Sequence, residues 1–382
     1  MAQKANPDGK IHVVQIVGRM MGGGVEATTM NHYRFIDRDA ITFDFFAQEN
    51  SQHIPYDEIH ALGGQVHLIP TYNNLFTYMD KVEQLLRELQ PDIVHSNMNA
   101  LSVFSLRAAK KAGVPIRIAH SHSTANPKEG KKTIIKNMLR PLSRIYPTEY
   151  AACGIRSGTW LFGKKLMEEG DVKMIYNAVD LTKYSPSMDI RTRMRRELGI
   201  DDKLVIGQVG RLCFQKNQRF TLEVFRDILG IQPNAELFFA GTGPTEVQLK
   251  QRAFDMGISN KVHFLGLRSD VNDLNQAFDV LLSPSQYEGL PVSLVESQAI
   301  GCPALVSIEV TTEVQIVPDM IHFMSLNDST ELWAKRVLSI AGNRSMDKMV
   351  NDHYLSEAGY DIRQSSKDLG DWYKELVTNQ KK

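Results

Sequence analysis

Short apolar runs alternate with amphipathic stretches along the whole chain, and this alternation predicts its architecture. IHVVQIV (11–17) is a compact β-rich run followed by a glycine loop and a helix-like segment. ITFDFFA (41–47), QVHLIP (65–70), DIVHSN (92–97) and IRIAHSH (116–122) repeat the pattern, with helical spacing in YMDKVEQLLRELQ (78–90). After residue 200 a second series begins: KLVIGQVG (203–210), AELFFAG (235–241), KVHFLG (261–266), DVLLSPS (279–285) and PALVS (303–307). Between these, FTLEVFRDILGIQP (220–233) and SLVESQAIG (293–301) have helical spacing. Strands separated by helices require right-handed crossovers and a parallel sheet. The two series predict two Rossmann-like, doubly wound α/β domains, residues 1–180 and 181–360. Turn formers crowd YNAVDLTKYSPSMD (176–189), which is expected to be the hinge. The last segment, 361–382, carries an apolar stripe of Leu369, Trp372, Tyr373 and Leu376, and is expected to pack back on the first domain as a helix. Open α/β sheets bind ligands outside their strand C-termini, so a central cleft facing both domains is the expected site.

A length of 382 residues suits two domains of roughly 180 each. Lys plus Arg and Asp plus Glu both total 44, so no global charge points to nucleic acid. MAQKANPDGK lacks the apolar core of a signal peptide, and no run approaches the ~20 apolar residues of a membrane span. Cys153, Cys213 and Cys302 are far apart and read as buried small hydrophobes in a reducing compartment. A cytoplasmic protein is expected.

Five segments carry candidate chemistry. In VGRMMGGGVE (17–26), consecutive Gly22, Gly23 and Gly24 let backbone approach a phosphate at a helix N-terminus. The spacing is not GxGxxG, and GTGPTE (241–246) fails that fingerprint too, with Glu246 at the third glycine. GRLCFQKN (210–217) follows a strand, and Arg211 and Lys216 across its turn can converge on one anionic group. YEGLPVSLVESQAIGCP (287–303) places Glu288 in a strand-to-helix loop and Glu296 within the next helix. Gly289 and Pro291 shape that loop, and a helical carboxylate can accept two ribose hydroxyls at once. IAHSHST (118–124) puts His120 and His122 on one strand face. No third ligand accompanies them, so no metal is expected. The fifth is a basic stretch, 128–144, in which Lys128, Lys131, Lys132, Lys136, Arg140 and Arg144 are opposed only by Glu129. Ile134, Ile135, Met138, Leu139 and Leu142 interleave with them, as on a helix lying against an anionic membrane.

Together these segments resemble the family 4 retaining glycosyltransferases of the GT-B fold over nearly the whole chain. The strongest marks are Glu288 and Glu296 as an E-x7-E pair, the GRL…KN phosphate motif, and YNAVD in place of the family's N-G-V-D. The HSH segment is similar to that of bacterial exopolysaccharide and capsule enzymes. The resemblance implies a nucleotide-sugar donor, UDP before GDP, with no cofactor required, and a glycan or lipid-linked acceptor. Arg211 and Lys216 would neutralise the leaving diphosphate, and Glu296 would bind the donor ribose. Glu288 would hold the sugar hydroxyls, with backbone N–H groups of Gly289, Leu290, Pro291 and Val292 beside it. Gly23 and Gly24 would approach the donor phosphate or the acceptor, and His122, with His120 as the alternative, would sit against the sugar. Leu265, Gly266 and Leu267 would abut the base. No carboxylate accompanies the HSH segment, which favours front-face return over a covalent intermediate. Three other readings compete: a silent nucleotide-sugar-binding scaffold, an epimerase on the same plan, and an oxidoreductase that the missing glycine fingerprint disfavours. Intact Arg211, Lys216, Glu288 and Glu296 weigh against the scaffold.

Overall fold

The structure, a computed structural model, describes residues 9–125 and 130–380, without the side chains of Lys131 and Lys132. The chain forms two compact units, one running to Tyr176 and resuming at Ile362, the other spanning Asn177–Asp361. Residues 176–189 therefore hold only one of the two crossings. The rest of that stretch belongs to the second unit and ends where helix Met188–Leu198 begins.

The first unit is built on seven parallel strands: β1 (Ile11–Gly18), β2 (Ile41–Gln48), β3 (Gln65–Ile69), β4 (Ile93–Ser96), β5 (Ile116–Ser121), β6 (Glu149–Ala152) and β7 (Val172–Met174). Their order is β3-β2-β1-β4-β5-β6-β7. Side chains alternate between the faces, so both are apolar. Val13 and Val17 of β1 join Ile93, Ile116 and Ile118 under one helix layer, while Val14 and Ile16 join Val94 and Ala119 under the other. Helix Ile362–Gln380 covers the first face through Leu369, Tyr373 and Val377.

Six parallel strands form the second unit: β8 (Leu204–Val209), β9 (Ala235–Ala240), β10 (Val262–Phe264), β11 (Val280–Ser283), β12 (Ala304–Ser307) and β13 (Ile321–Met324). They are ordered β10-β9-β8-β11-β12-β13. Trp333 is fully buried in this core, its indole N–H donating to the Ser325 carbonyl at 2.9 Å. The expected pair of doubly wound α/β domains is present. Three strands were not legible as apolar runs: EYAA (β6), VKM (β7) and IHFM (β13). Each is three or four residues long, and β7 and β13 are edge strands with half-buried side chains. In both sheets the strand order reverses once, at β1/β4 and at β8/β11. Such a reversal, at the strand C-termini, is where open α/β sheets bind their ligands.

Candidate active site

In the second unit the loops after β8 and β11 meet at the reversal point. Gln286 N–H donates to the Gln215 carbonyl (2.7 Å), and the Asn217 side-chain amide donates to the Pro284 carbonyl (3.0 Å). Asn217 sits at φ +55°, a left-handed conformation that asparagine tolerates better than most residues. The amides of Gln208 and Gln218 donate to the carbonyls of Lys216 (2.7 Å) and Arg211 (3.0 Å), fixing the loop from below. This frame sets Lys216 Nζ 2.8 Å from Glu288 Oε1, while Gln215 Nε2 donates to Glu288 Oε2 at 3.0 Å. Glu288 is 7% exposed. Its carboxylate thus faces one cation and one amide donor.

Lys216 was expected to converge with Arg211 on an anion, but here it is paired with Glu288. Arg211 is exposed, and its guanidinium takes no partner among the described residues. Helix Val292–Ala299 opens beside Glu288. Of the four residues expected to supply N–H groups, Pro291 has none, leaving Gly289, Leu290 and Val292. Among the described residues none of these three N–H groups donates to backbone or side chain. The Leu290 carbonyl accepts from the Asn177 side-chain amide at 2.5 Å, tying YNAVD to this loop. Glu296 is half-buried. Burial pushes its carboxyl above the ordinary glutamate range, opposed by a hydrogen bond from Tyr184 and the charge of Lys183. Leu267 is 41% exposed, next to Gly266, whose carbonyl accepts from the Gly241 N–H at 2.8 Å.

The remaining candidates lie in the first unit. Gly23 caps helix Gly24–Phe35, but Glu26 folds back over it. Its carboxylate accepts from the N–H groups of Met21 (2.8 Å) and Gly23. The chain's own carboxylate therefore occupies the Gly23 donor expected to face a phosphate. His122 lies just past β5, where the Asn99 side-chain oxygen accepts from the N–H groups of His122 (2.7 Å) and Ser123 (3.1 Å). His122 Nε2 is 2.9 Å from Asn97 Oδ1, and the His122 and His120 rings lie 3.8 Å apart, centroid to centroid. Burial pushes the His122 ring down to about 3, with repulsion from His32 adding to it. His122 is therefore neutral at physiological pH and suits a sugar hydroxyl better than a phosphate. His120 is 2% exposed, deeper than His122, which separates the two candidates.

Among the described residues no group of three or more His, Cys, Asp or Glu is placed to hold a metal ion. All three cysteines are free, and Cys213 is half-buried where full burial was expected. Lys128 and Glu129 lie outside the described residues, as do the side chains of Lys131 and Lys132.

Comparison with known proteins shows the family and the fold. The family model described as Glycosyltransferase Family 4 matches residues 22–183, and Glycosyl transferases group 1 matches 190–353. A putative glycosyltransferase of Bacillus subtilis (strain 168), EpsF, is 31% identical over 362 residues, covering 92% of this chain and 94% of its own. The chain belongs to the family 4 glycosyltransferases.

This transferase is also 22% identical to an Escherichia coli enzyme named UDP-Gal:alpha-D-GlcNAc-diphosphoundecaprenol alpha-1,3-galactosyltransferase, covering 97% of this chain and 98% of that one. Its fold matches Anabaena Alr3699/HepE, solved in complex with UDP-glucose, at a TM-score of 0.77 and 18% identity, over 97% of this chain and 100% of that one. The fold is GT-B. Sequence reasoning missed Gln215 although it stands inside the GRL…KN motif. It also missed Tyr184, whose aromatic ring in a turn-rich stretch gave no sign of a carboxylate partner.

Proposed function

We propose that the transferase moves a hexose or N-acetylhexosamine from a UDP-sugar onto a hydroxyl of a glycan or lipid-linked glycan in cell-surface polysaccharide assembly, with retention of configuration. The observation that carries this reading is the Glu288 carboxylate, contacted by Lys216 and Gln215 beside three uncommitted N–H groups at the β8/β11 reversal. A carboxylate with open lone pairs accepts sugar hydroxyls, while N–H groups and cations stabilise charge that builds on a departing diphosphate without a metal. Lys216 and Arg211 take the diphosphate, Glu296 accepts the ribose hydroxyls, and Leu267 lies against the base. Gly24 and its loop meet the acceptor, and neutral His122 meets the sugar. The residues lining the pocket around His122 include Gln15, His32, Asn97 and His120 but no carboxylate, which favours front-face return. The names of the E. coli and Anabaena relatives support a UDP-sugar and a lipid-diphosphate acceptor.

Calorimetry against UDP, GDP and ADP without added metal tests the donor, with selective UDP binding expected. Glu296→Ala should weaken UDP binding by roughly tenfold or more, the worth of a charge-assisted contact. Unchanged affinity would remove Glu296 from the ribose site, and preference for GDP would overturn the donor assignment. NMR of the product's anomeric proton reports retention directly.

We assign a peripheral membrane contact to helix Lys131–Leu139 and the turn Arg140–Arg144 after it. Ile134, Ile135, Met138, Leu142 and Ile145 are all more than 40% exposed there, interleaved with Lys136, Arg140 and Arg144. No helix among the described residues is long and apolar enough to cross a membrane. Co-sedimentation with phosphatidylglycerol vesicles but not phosphatidylcholine is expected, and Ile134→Asp with Met138→Asp should abolish it. Equal binding to both lipids, or by the variant, would refute the contact.

A further inference from the structure

Period-two alternation brings three polar side chains to one place in an otherwise apolar sheet face. Gln15 of β1, His95 of β4 and His120 of β5 lie on the face shared by Val13, Ile93 and Ile118, near the strands' C-terminal ends. Gln15 and His95 are direct partners in the parallel register, and His95 pairs with Ile118, two residues before His120. The helix covering this face contributes Tyr373, which is fully buried there.

These groups form one unbroken hydrogen-bonded chain. From His122 Nε2 it runs to Asn97 Oδ1 (2.9 Å), then from Asn97 Nδ2 to Gln15 Oε1 (3.0 Å). Gln15 Nε2 donates to the Tyr373 hydroxyl (3.2 Å), which lies 2.6 Å from His95 Nδ1. His95 Nε2 is 3.0 Å from His120 Nδ1, and the His120 ring returns to lie, tilted, against His122. Every member is at least nine-tenths buried. Burial holds His95 down at about 3 and His120 well below the ordinary histidine range, so the imidazoles are neutral, each with one N–H.

A neutral imidazole has one donor nitrogen, a primary amide has a donor end and an acceptor end, and a phenol has a single proton. Hydrogen positions along the chain are therefore coupled. When Gln15 donates to Tyr373, the phenol spends its proton on His95 Nδ1, and His95 donates through Nε2 to His120 Nδ1, so the chain ends on His120 Nε2–H, which is buried without an acceptor among the described residues. On the other arm, Gln15 Oε1 takes the Asn97 amide, Asn97 Oδ1 faces His122, and His122 must carry its proton on Nε2. Its Nδ1, which has no partner among the described residues, is then a bare acceptor. Reversing the His122 tautomer requires turning both amides and the phenol together, because turning any one of them alone sets donor against donor or acceptor against acceptor at a buried contact.

We propose that Tyr373 is a positioning residue whose hydroxyl, through Gln15 and Asn97, locks His122 as its Nε2–H tautomer and so presents Nδ1 to accept a hydroxyl of the transferred sugar. The sugar contact rests on the function proposed above; the tautomer lock does not. The test is nitrogen-15 NMR of histidine-labelled full-length protein at neutral pH, with His122→Gln used to assign the resonance. Wild type should show His122 as one Nε2–H tautomer, and Tyr373→Phe, which keeps the ring and its packing, should show a mixture. Tyr373→Phe should also lower kcat by roughly tenfold, the scale of one misplaced hydrogen bond, with UDP affinity and donor KM within twofold of wild type. A mixed or Nδ1–H His122 in wild type overturns the proposal whether or not the variant folds. So does a single Nε2–H tautomer in a folded Tyr373→Phe. If the tautomer shifts as expected but no nucleotide-sugar is bound by wild type, the lock stands and the function proposal fails instead.

Discussion

Lys216→Met should lower turnover by a hundredfold or more and destabilise the protein, and a second substitution should separate the two losses. Lys216 Nζ lies 2.8 Å from a carboxylate that is almost completely buried. Removing one partner of such a pair leaves an uncompensated charge, a cost of about 3 kcal/mol. Gln215 still donates to Glu288 in the variant and softens that cost. Adding Glu288→Gln removes the stranded charge, so most of the stability should return in denaturant unfolding. Under the roles proposed above, with the cation on the departing diphosphate and the carboxylate on the sugar, activity should not return. A donor aimed at developing charge in a dry site is worth roughly 10²–10³ in kcat. The loss should fall on kcat more than on donor KM, since the charge grows in the transition state. Turnover within fivefold of wild type would sink the diphosphate role. Recovery of turnover in the double variant would show that Lys216 serves only to pair Glu288.

Much of this was legible in the sequence because the relevant forces are local. Runs such as IHVVQIV and AELFFA are buried on both faces of a parallel sheet, so their apolar character is continuous and announces them. The placement of Glu288 in a loop and Glu296 within the following helix was legible, because helix Val292–Ala299 begins between them. What was hidden depends on pairings across long sequence separations. Tyr373 counted only as a member of an apolar stripe, yet its hydroxyl meets His95 across 278 positions. Lys216 looked like a free cation because nothing in GRLCFQKN shows that Glu288 lies opposite it. The glycine loop at 22–24 suggested open N–H groups, but Glu26, three residues beyond Gly23, folds back and takes those of Gly23 and Met21. That reciprocal acid at the third helical position is a recognisable helix-start pattern, and it could have been noticed.

GTGPTE was set aside for failing a nucleotide fingerprint, but its glycines have a different use, and Gly243→Ala should show it. A Cβ on Gly243 would stand 2.1 Å from the Leu212 carbonyl oxygen and 2.7 Å from both its carbon and nitrogen. These are backbone atoms, so no side-chain rotation relieves the overlap. Nor can the two loops slip past each other freely. Leu212 N–H donates to the Thr242 carbonyl at 2.9 Å and the Leu212 carbonyl accepts from the Thr245 N–H at 3.3 Å, on either side of Gly243. Overpacking of this kind costs about 1–3 kcal/mol, and each hydrogen bond it breaks adds about 1. A stability loss near 3 kcal/mol is expected. The segment pushed away holds Leu212 between Arg211 and the turn that ends at Lys216, so UDP affinity should fall more than tenfold even at temperatures where the variant is folded. Gly230→Ala is the control. It lies in helix Gln218–Ile231 with no atom within 4 Å of its added Cβ, and it should be neutral or stabilising by up to about 1 kcal/mol. If Gly243→Ala binds UDP like wild type despite the lost stability, the close approach of these loops is only a packing feature. If it loses UDP while Gly230→Ala keeps it, Gly243 sets where the cations stand.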